Sequence, residues 1–354
     1  MTQANELWTR LQVLGAVQGD QPTDLHIPVS VRIMLGLGAW LASVLALGFL
    51  GFTLHGMLEE SAPRLLLAAI AGAIALRLAP LGVSRPFAGQ VGLVMACLMQ
   101  LLLFWSLFDE LHRNFDMGLA LIAIGAISLL INSFIWRMWS TWLVIGGLTI
   151  FLLPQHHPLL LAALVWVCAA GCALLWLNPH RWVKRQALMR PLAFALGIAT
   201  LALSLWHPQL SWSTGMLLEL TSPVRFVELA GLCSSGLTAV NLAIVLVLMR
   251  RLKVPVTVRA GALLLIVLVG LATWITPLVS AALGLLLLGY GRGLTLLTII
   301  GSVGLLLGLS THYYALTWSL NYKATSMAIL GAILLLARYG LLAQRSPSHT
   351  GEAP

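Results

Sequence analysis

The sequence predicts an all-α fold: a polytopic integral membrane helical bundle of about 12 transmembrane helices, with both termini cytoplasmic. Three observations carry this prediction. First, the 354 residues are 60% hydrophobic and 9% charged, with a mean hydropathy of +0.96. Soluble domains carry about 25% charged residues. The 20 Lys+Arg and 11 Asp+Glu are too few to cover a water-facing surface. That excludes a soluble enzyme, a secreted disulfide scaffold and a disordered chain. Second, apolar runs of span length recur along the chain. Third, the basic residues between those runs fall mainly on one side.

A bilayer core about 30 Å thick takes roughly 20 residues of helix. Residues 1–32 form a cytoplasmic tail. Within it the stretch ELWTRLQVLGAV places Leu7, Leu11 and Leu14 on one side, and Gly15 and Gly19-Asp20 end it. It reads as a short amphipathic helix on the inner headgroups. The first apolar run is Ile33 to Leu54, with nothing like a cleavable leader before it, so it reads as a retained span. Later runs cover 64–81, 87–108, 117–135, 138–153, 158–177, 190–206, 226–249, 257–275, 276–290, 293–311 and 324–342. The fifth and tenth are short. A single helix over 257–290 would be about 51 Å long, so two spans turning at Thr276-Pro277 fit better. The transmembrane domain is therefore 33–342, and 343–354 reads as a disordered cytoplasmic tail.

With the N-terminus inside, the charges sort. Inside lie Arg10, Arg32, Arg77, Arg85, Arg137, Arg181, Lys184, Arg185, Arg190, Arg250, Arg251, Lys253, Arg259, Arg292, Arg338 and Arg345. Outside lie Arg64, Arg113, Arg225 and Lys323. Most acids go the other way. The net charge of +9 is thus the positive-inside rule and not the footprint of a nucleic acid. Loops are short, the longest running from His207 to Arg225, which leaves no room for a soluble catalytic domain. No internal repeat is visible, so the inverted-repeat signature of many transporters is absent at this level.

Chemistry-bearing motifs are scarce, and no cofactor is expected. Cys97, Cys168, Cys172 and Cys233 lie inside spans at no zinc, haem or iron–sulfur spacing, and read as small buried residues. Gly289-Tyr290-Gly291-Arg292-Gly293 joins two membrane helices and reads as a tight inner turn, not a nucleotide loop. Gly231 to Gly236, GLCSSG, lies in a span and is no nucleophile elbow. Gly231, Ser235, Gly304 and Gly308 read as points of close helix approach.

Six of nine histidines fall outside: His55, His112, His156, His157, His207 and His312. Asp109, His112 and Asp116 are spaced i, i+3, i+7 and would share a face if the third span continued, making them the candidate metal ligands. A solvated acidic rim is the competing reading. Among intramembrane polar groups, Arg77 can snorkel and Glu228 can pair with Arg225. Gln100, Asn132 and Asn241 suit interhelical hydrogen bonding. Trp136, Trp139, Trp176, Trp182 and Trp206 stand at span ends as interface anchors.

The densest polar cluster runs from Thr311 to Lys323, THYYALTWSLNYK, in the outer connection before the last span. Tyr313, Tyr314 and Lys323 are its candidate partner or ligand contacts. An aromatic belt is the alternative.

Tyr313-Tyr314, Leu316, Leu320 and Lys323 resemble the end of a bacterial multi-pass family catalogued as a domain of unknown function. Leu7-Trp8, Leu11, Gly15, Gly19 and Pro22 are similar to that family, as is Leu35-Gly36-Leu37-Gly38-Ala39-Trp40-Leu41. The chain departs from the family's pattern at Ala315 and Ala324, where an acid and a serine are usual, which argues against an essential role for either side chain. The resemblance implies a bacterial inner-membrane location. It also implies genes encoded beside another multi-pass membrane protein and a protein with a Gly-Asp-Tyr motif, hence an envelope complex.

Three functions compete: a non-enzymatic component of a membrane or envelope complex, a transporter or channel for a small solute, and a lipid-modifying membrane enzyme. The second would use Ser234, Ser235, Thr238 and Asn241; the third, the outer His and acidic residues. Compact loops and the lack of a buried carboxylate favour the first. Its partners would be the lipid bilayer, another multi-pass membrane protein and an envelope protein, with no nucleic acid.

Overall fold

A computed structural model of the chain describes residues 12, 29–53, 56, 60–82, 86–108, 114–152, 158–205, 223–315, 321, 324–325, 328 and 331. Regular structure among them is entirely helical. The helices are α1 (Val29–Thr53), α2 (Ser61–Leu78), α3 (Pro86–Phe108), α4 (Asn114–Ser128), α5 (Phe134–Leu152) and α6 (Pro158–Leu177). They continue with α7 (Gln186–Ser204), α8 (Pro223–Arg251), α9 (Val256–Ala272), α10 (Pro277–Arg292) and α11 (Thr295–Ala315). Short 3-10 turns at Ala79–Gly82 and Pro179–Arg185 follow α2 and precede α7. Each of the first eleven apolar runs lies on one of these helices. The twelfth falls largely outside the described residues, as do the amphipathic tail and the C-terminal tail. Among the described residues seven helices are long and apolar enough to cross a membrane, and three shorter apolar ones accompany them. The chain is a polytopic helical membrane bundle.

One boundary differs from the sequence reading. The apolar run continues through Leu129-Leu130-Ile131, but α4 stops at Ser128 and α5 begins at Phe134. Ser128 Oγ donates back to the Ile124 carbonyl at 2.6 Å, and Asn132-Ser133 follow, residues that compete with helical backbone bonds and favour turns. Hydropathy cannot register such a break. Asn132 accordingly sits exposed in the turn and not at a helix contact.

Three apolar clusters hold the bundle among the described residues, the smallest being Ile145, Cys168 and Ala199 of α5, α6 and α7. The largest joins α6, α7, α8, α10 and α11 through Phe194, Leu237, Ile244, Leu285, Leu288 and Leu297. The second packs Ala68, Ala71 and Ala75 of α2 on Ala96 and Met99 of α3, closed by Ile131 and Trp136. Between these two, α4 and α5 approach backbone to backbone. A methyl group on Gly147 would stand 2.7 Å from the Gly118 carbonyl, so only hydrogen fits there.

The direction of the last four described helices follows from their contacts. Gly231 faces Trp274, Ser234 bonds to Thr273 and Thr238 abuts Gly270, so α8 and α9 are antiparallel. Asn241 meets Gly284 and Leu248 meets Gly291, so α10 returns parallel to α8. Gly289 with Thr298, Gly301 with Leu286 and Gly308 with Val279 close the α10–α11 hairpin. Its turn is a single left-handed residue, Gly293 at φ 64°, whose N–H caps α10. Residues Gly289 to Arg292 belong to α10 itself, narrowing the inner turn expected there.

One of the tryptophans read as interface anchors differs from that expectation. Trp136 is 2% exposed and buried in the second cluster, not at an interface. Four indole N–H groups instead bond across helices: Trp40 to Gln90 Oε1, Trp139 to Gln100 Oε1, Trp142 to the Ala195 carbonyl and Trp166 to the Leu232 carbonyl. Such acceptors satisfy an indole N–H away from water, whereas the buried indole N–H groups of Trp136 and Trp176 have none among the described residues. Trp166 reaches its carbonyl because residue 236 of α8 is glycine, whose missing Cβ leaves room for the ring. Trp206 lies outside the described residues.

Candidate functional site

The polar side chains of α8 converge on the turn between α9 and α10. Ser234 is fully buried and donates to the Thr273 carbonyl at 3.3 Å. Asn241, 2% exposed, donates through Nδ2 to the Ser280 carbonyl at 2.8 Å. Both residues use their polar groups to hold helices together, as the sequence suggests for Asn241. Thr238 bonds to the Ser234 carbonyl of its own helix. Ser235 is exposed and bonds to the Leu232 carbonyl, so it is not a point of close approach; Gly236, against Trp166, is.

The turn itself carries two more buried hydroxyls. Thr273 Oγ1 donates to the Val269 carbonyl, and Thr276 precedes Pro277, whose fixed φ and missing N–H suit the first position of α10. Thr276 does not cap α10 with its side chain. Its Oγ1 lies 2.8 Å from Nδ1 of His312 on α11. Which partner donates depends on the imidazole tautomer. His312 is therefore half-buried against the α9–α10 turn and not part of a solvated outer rim. This pair is 36 residues apart in the chain and no local pattern announces it.

Immediately beyond His312, Tyr313 and Tyr314 pack edge to face, centroids 5.5 Å apart and planes at 85°. Tyr314 is 66% exposed. Lys323 lies outside the described residues. The same holds for Asp109 and His112, and for the side chain of Asp116, which is carried by the first turn of α4. The other outer histidines, His55, His156, His157 and His207, are also outside the described set. Among the described residues no three His, Cys, Asp or Glu stand close enough to hold a metal ion. Arg77 is exposed in the last turn of α2, as snorkelling requires, and Glu228 is exposed near the start of α8.

Two small cavities flank the seam. One, of ≈ 30 Å³, lies between α5, α6, α7 and α8 and is walled by Leu161, Val165, Leu203, Cys233, Thr149 and Pro277. The other, of ≈ 10 Å³, touches Asn241, Thr200 and Cys172. These are the size of a water molecule or two, and their walls are mainly apolar. Cys168, Cys172 and Cys233 are buried free thiols, in keeping with small packing residues.

Sequence reasoning missed Arg64. Grouped with the outer loop charges, it is 3% exposed at the start of α2. Its Nε donates to the Glu60 carbonyl at 3.1 Å and Nη1 to the Trp105 carbonyl at 3.4 Å, with the guanidinium 5.3 Å from the Trp105 ring centroid. Trp105 lies in the last turn of α3, where carbonyls lack helical partners and the dipole favours a cation. A span boundary drawn a turn further out, where α2 begins at Ser61, would have placed it inside the helix.

Fold and site together define a helical membrane protein whose interior polar groups tie helix to helix and whose aromatic pair sits at the end of α11. Over residues 28–344 the chain matches the family described as Domain of unknown function (DUF4401), and it belongs to that family. No curated protein and no solved structure matches the chain.

Proposed function

We propose that the chain is a non-enzymatic subunit of a bacterial inner-membrane or envelope complex, with both termini cytoplasmic and the Tyr313–Tyr314–Lys323 segment as its partner contact. The observation that carries the reading is the tyrosine pair. Tyr314 is exposed beside Tyr313 on a helix end that the His312–Thr276 contact fixes to the neighbouring turn. A rigid, amphipathic aromatic on a pinned backbone loses little entropy on binding, which is why Tyr anchors dominate interfaces. The bonding of Ser234 and Asn241 to backbone carbonyls supports a structural use of the interior. Gentle native purification should retain a stoichiometric membrane or envelope protein. Y313A/Y314A/K323A should lose it while the chain remains in the membrane. A clean monomer from wild-type membranes would count against the proposal.

One observation favours a transport pathway as second reading. Non-helical backbone at membrane depth is tolerated where it lines a cavity as well as where it is packed in protein, and the Thr273–Thr276 turn carries a titratable neighbour, His312. Proton flux into vesicles loaded with a pH-sensitive dye, abolished by H312A, would favour this reading; equal flux in empty vesicles would remove it.

A further inference from the structure

Three linkers converge at the end of the bundle opposite the tyrosines, and arginines join them. Arg137, in the first turn of α5, donates Nη1 to the Ala187 carbonyl at the start of α7. Arg251, at the end of α8, donates Nη1 to the Leu177 carbonyl at 2.6 Å and Nη2 to Asn178 Oδ1 at 3.1 Å. Arg259 donates to the Val254 carbonyl. These three guanidinium groups are structural: Arg251 brings the α6–α7 linker against the α8–α9 turn, Arg137 ties α5 to α7, and Arg259 closes the α8–α9 turn itself.

Around them stand further exposed cations: His180, Arg181, Lys184, Arg185 and Arg190 from one linker, Arg250 and Lys253 from the other, with Arg251 itself also exposed. Neither Asn178–Arg190 nor Arg250–Arg259 contains an Asp or Glu. Exposed apolar side chains are interleaved with the charges: Val183 at 62%, Leu252 at 73% and Val256 at 73%. Lys253 also adopts φ 52°, a left-handed conformation that favours glycine, so a cationic side chain is kept where the backbone prefers none.

Sorting of basic residues to one face requires only that they be on that face. It does not require two linkers to be bonded together, nor valines and leucine to protrude among the cations. Cations at headgroup depth with apolar side chains beside them match the two halves of a phospholipid, phosphate and acyl chain. We propose that the junction of Pro179–Arg185 with the α8–α9 turn is a binding site for the headgroup of an anionic phospholipid. Arg181, Lys184, Arg185 and Lys253 meet its phosphates, and Val183 and Leu252 reach its acyl chains.

The test uses the full-length protein in detergent micelles, titrated with cardiolipin, phosphatidylglycerol or phosphatidylcholine and read by native mass spectrometry and thermal unfolding. Wild type should retain the anionic lipids selectively and saturably and be stabilised by them. R181Q/K184Q/R185Q should weaken anionic-lipid retention at least about tenfold, each basic group near a surface contributing roughly fivefold. R181K/K184R/R185K should keep it, and R77Q, which removes one exposed cation on α2, should leave it unchanged. Equal retention of phosphatidylcholine by wild type would overturn the site, whatever the variants do. Loss of retention in R77Q as large as in the triple variant would also overturn it, since that is diffuse charge. Tighter binding of a soluble polyanion such as heparin than of cardiolipin would assign the patch to another partner and overturn the lipid proposal.

Discussion

Asn241 and Gly284 offer the sharpest test of the helix seam, because each residue is explained by the other. A methyl group on Gly284 would lie 2.5 Å from Asn241 Oδ1, against an ordinary contact of at least 3.4 Å, so the amide would have to move by close to 1 Å. Moving it strains the 2.8 Å bond from Nδ2 to the Ser280 carbonyl. Losing an interhelical hydrogen bond in a membrane costs about 0.6 to 1.7 kcal/mol, and overpacking a tight contact adds about 1 to 3. Against this, glycine to alanine in a helix interior gains roughly 1 kcal/mol. G284A alone should therefore destabilise by about 1–2 kcal/mol, and N241A alone by a similar amount. In the N241A background the obstructing amide is gone, so G284A should become neutral or stabilising. The double-mutant cycle should then give a coupling of about 2 kcal/mol. Reversible unfolding in mixed micelles, followed by circular dichroism, measures all four corners. Strict additivity would refute the contact and with it the register of α8 on α10.

Other consequences follow from single side chains. R64M should destabilise by about 2–3 kcal/mol, through loss of charge-assisted bonds to two carbonyls, and R64K should recover part of it; equal stability of R64M and wild type by thermal unfolding would contradict the α2–α3 link. G293A should cost about 1 kcal/mol and shorten the lifetime of the α10–α11 hairpin, whereas G261A, with open space around it, should be neutral or better by the same unfolding assay. Cys168, Cys172 and Cys233 should resist a membrane-permeant maleimide in the folded protein and react on denaturation, while half-buried Cys97 should label first; rapid labelling of Cys233 would show that α8 is not packed as described.

The spans were legible because hydropathy integrates over a whole helix, so α1 to α11 stand where the apolar runs stand. Breaks were less legible, since Leu129-Leu130-Ile131 is as apolar as any helix interior and only the local competition by Ser128 and Asn132 ends α4. Asn241 was readable as an interhelical donor, because an amide in a span has few other fates. Ser235 was not separable from Gly236 by sequence, since both are small and only the helix rotation tells which one meets Trp166. Arg64 and Trp136 were misplaced for one reason: position near a span end suggests water, and neither side chain meets it. The His312–Thr276 contact joins residues from two different helix ends and had no signal in either.

The lengths of α9 and α10 carry a consequence for the surrounding lipid. They hold 17 and 16 residues, so they rise about 25 Å and 24 Å, short of a hydrocarbon core near 30 Å. Their neighbour α8 has 29 residues and runs about 43 Å. A bilayer crossed by a helix as short as α9 would thin beside it, and one crossed by α8 would be met by a tilted helix or one that reaches past the headgroups. Mismatch of this kind costs a fraction of a kcal/mol for each ångström, and the cost falls in thinner membranes. Of the two, α10 is enclosed by the largest cluster, so α9 is the short helix whose exposed side chains would report a thickness preference.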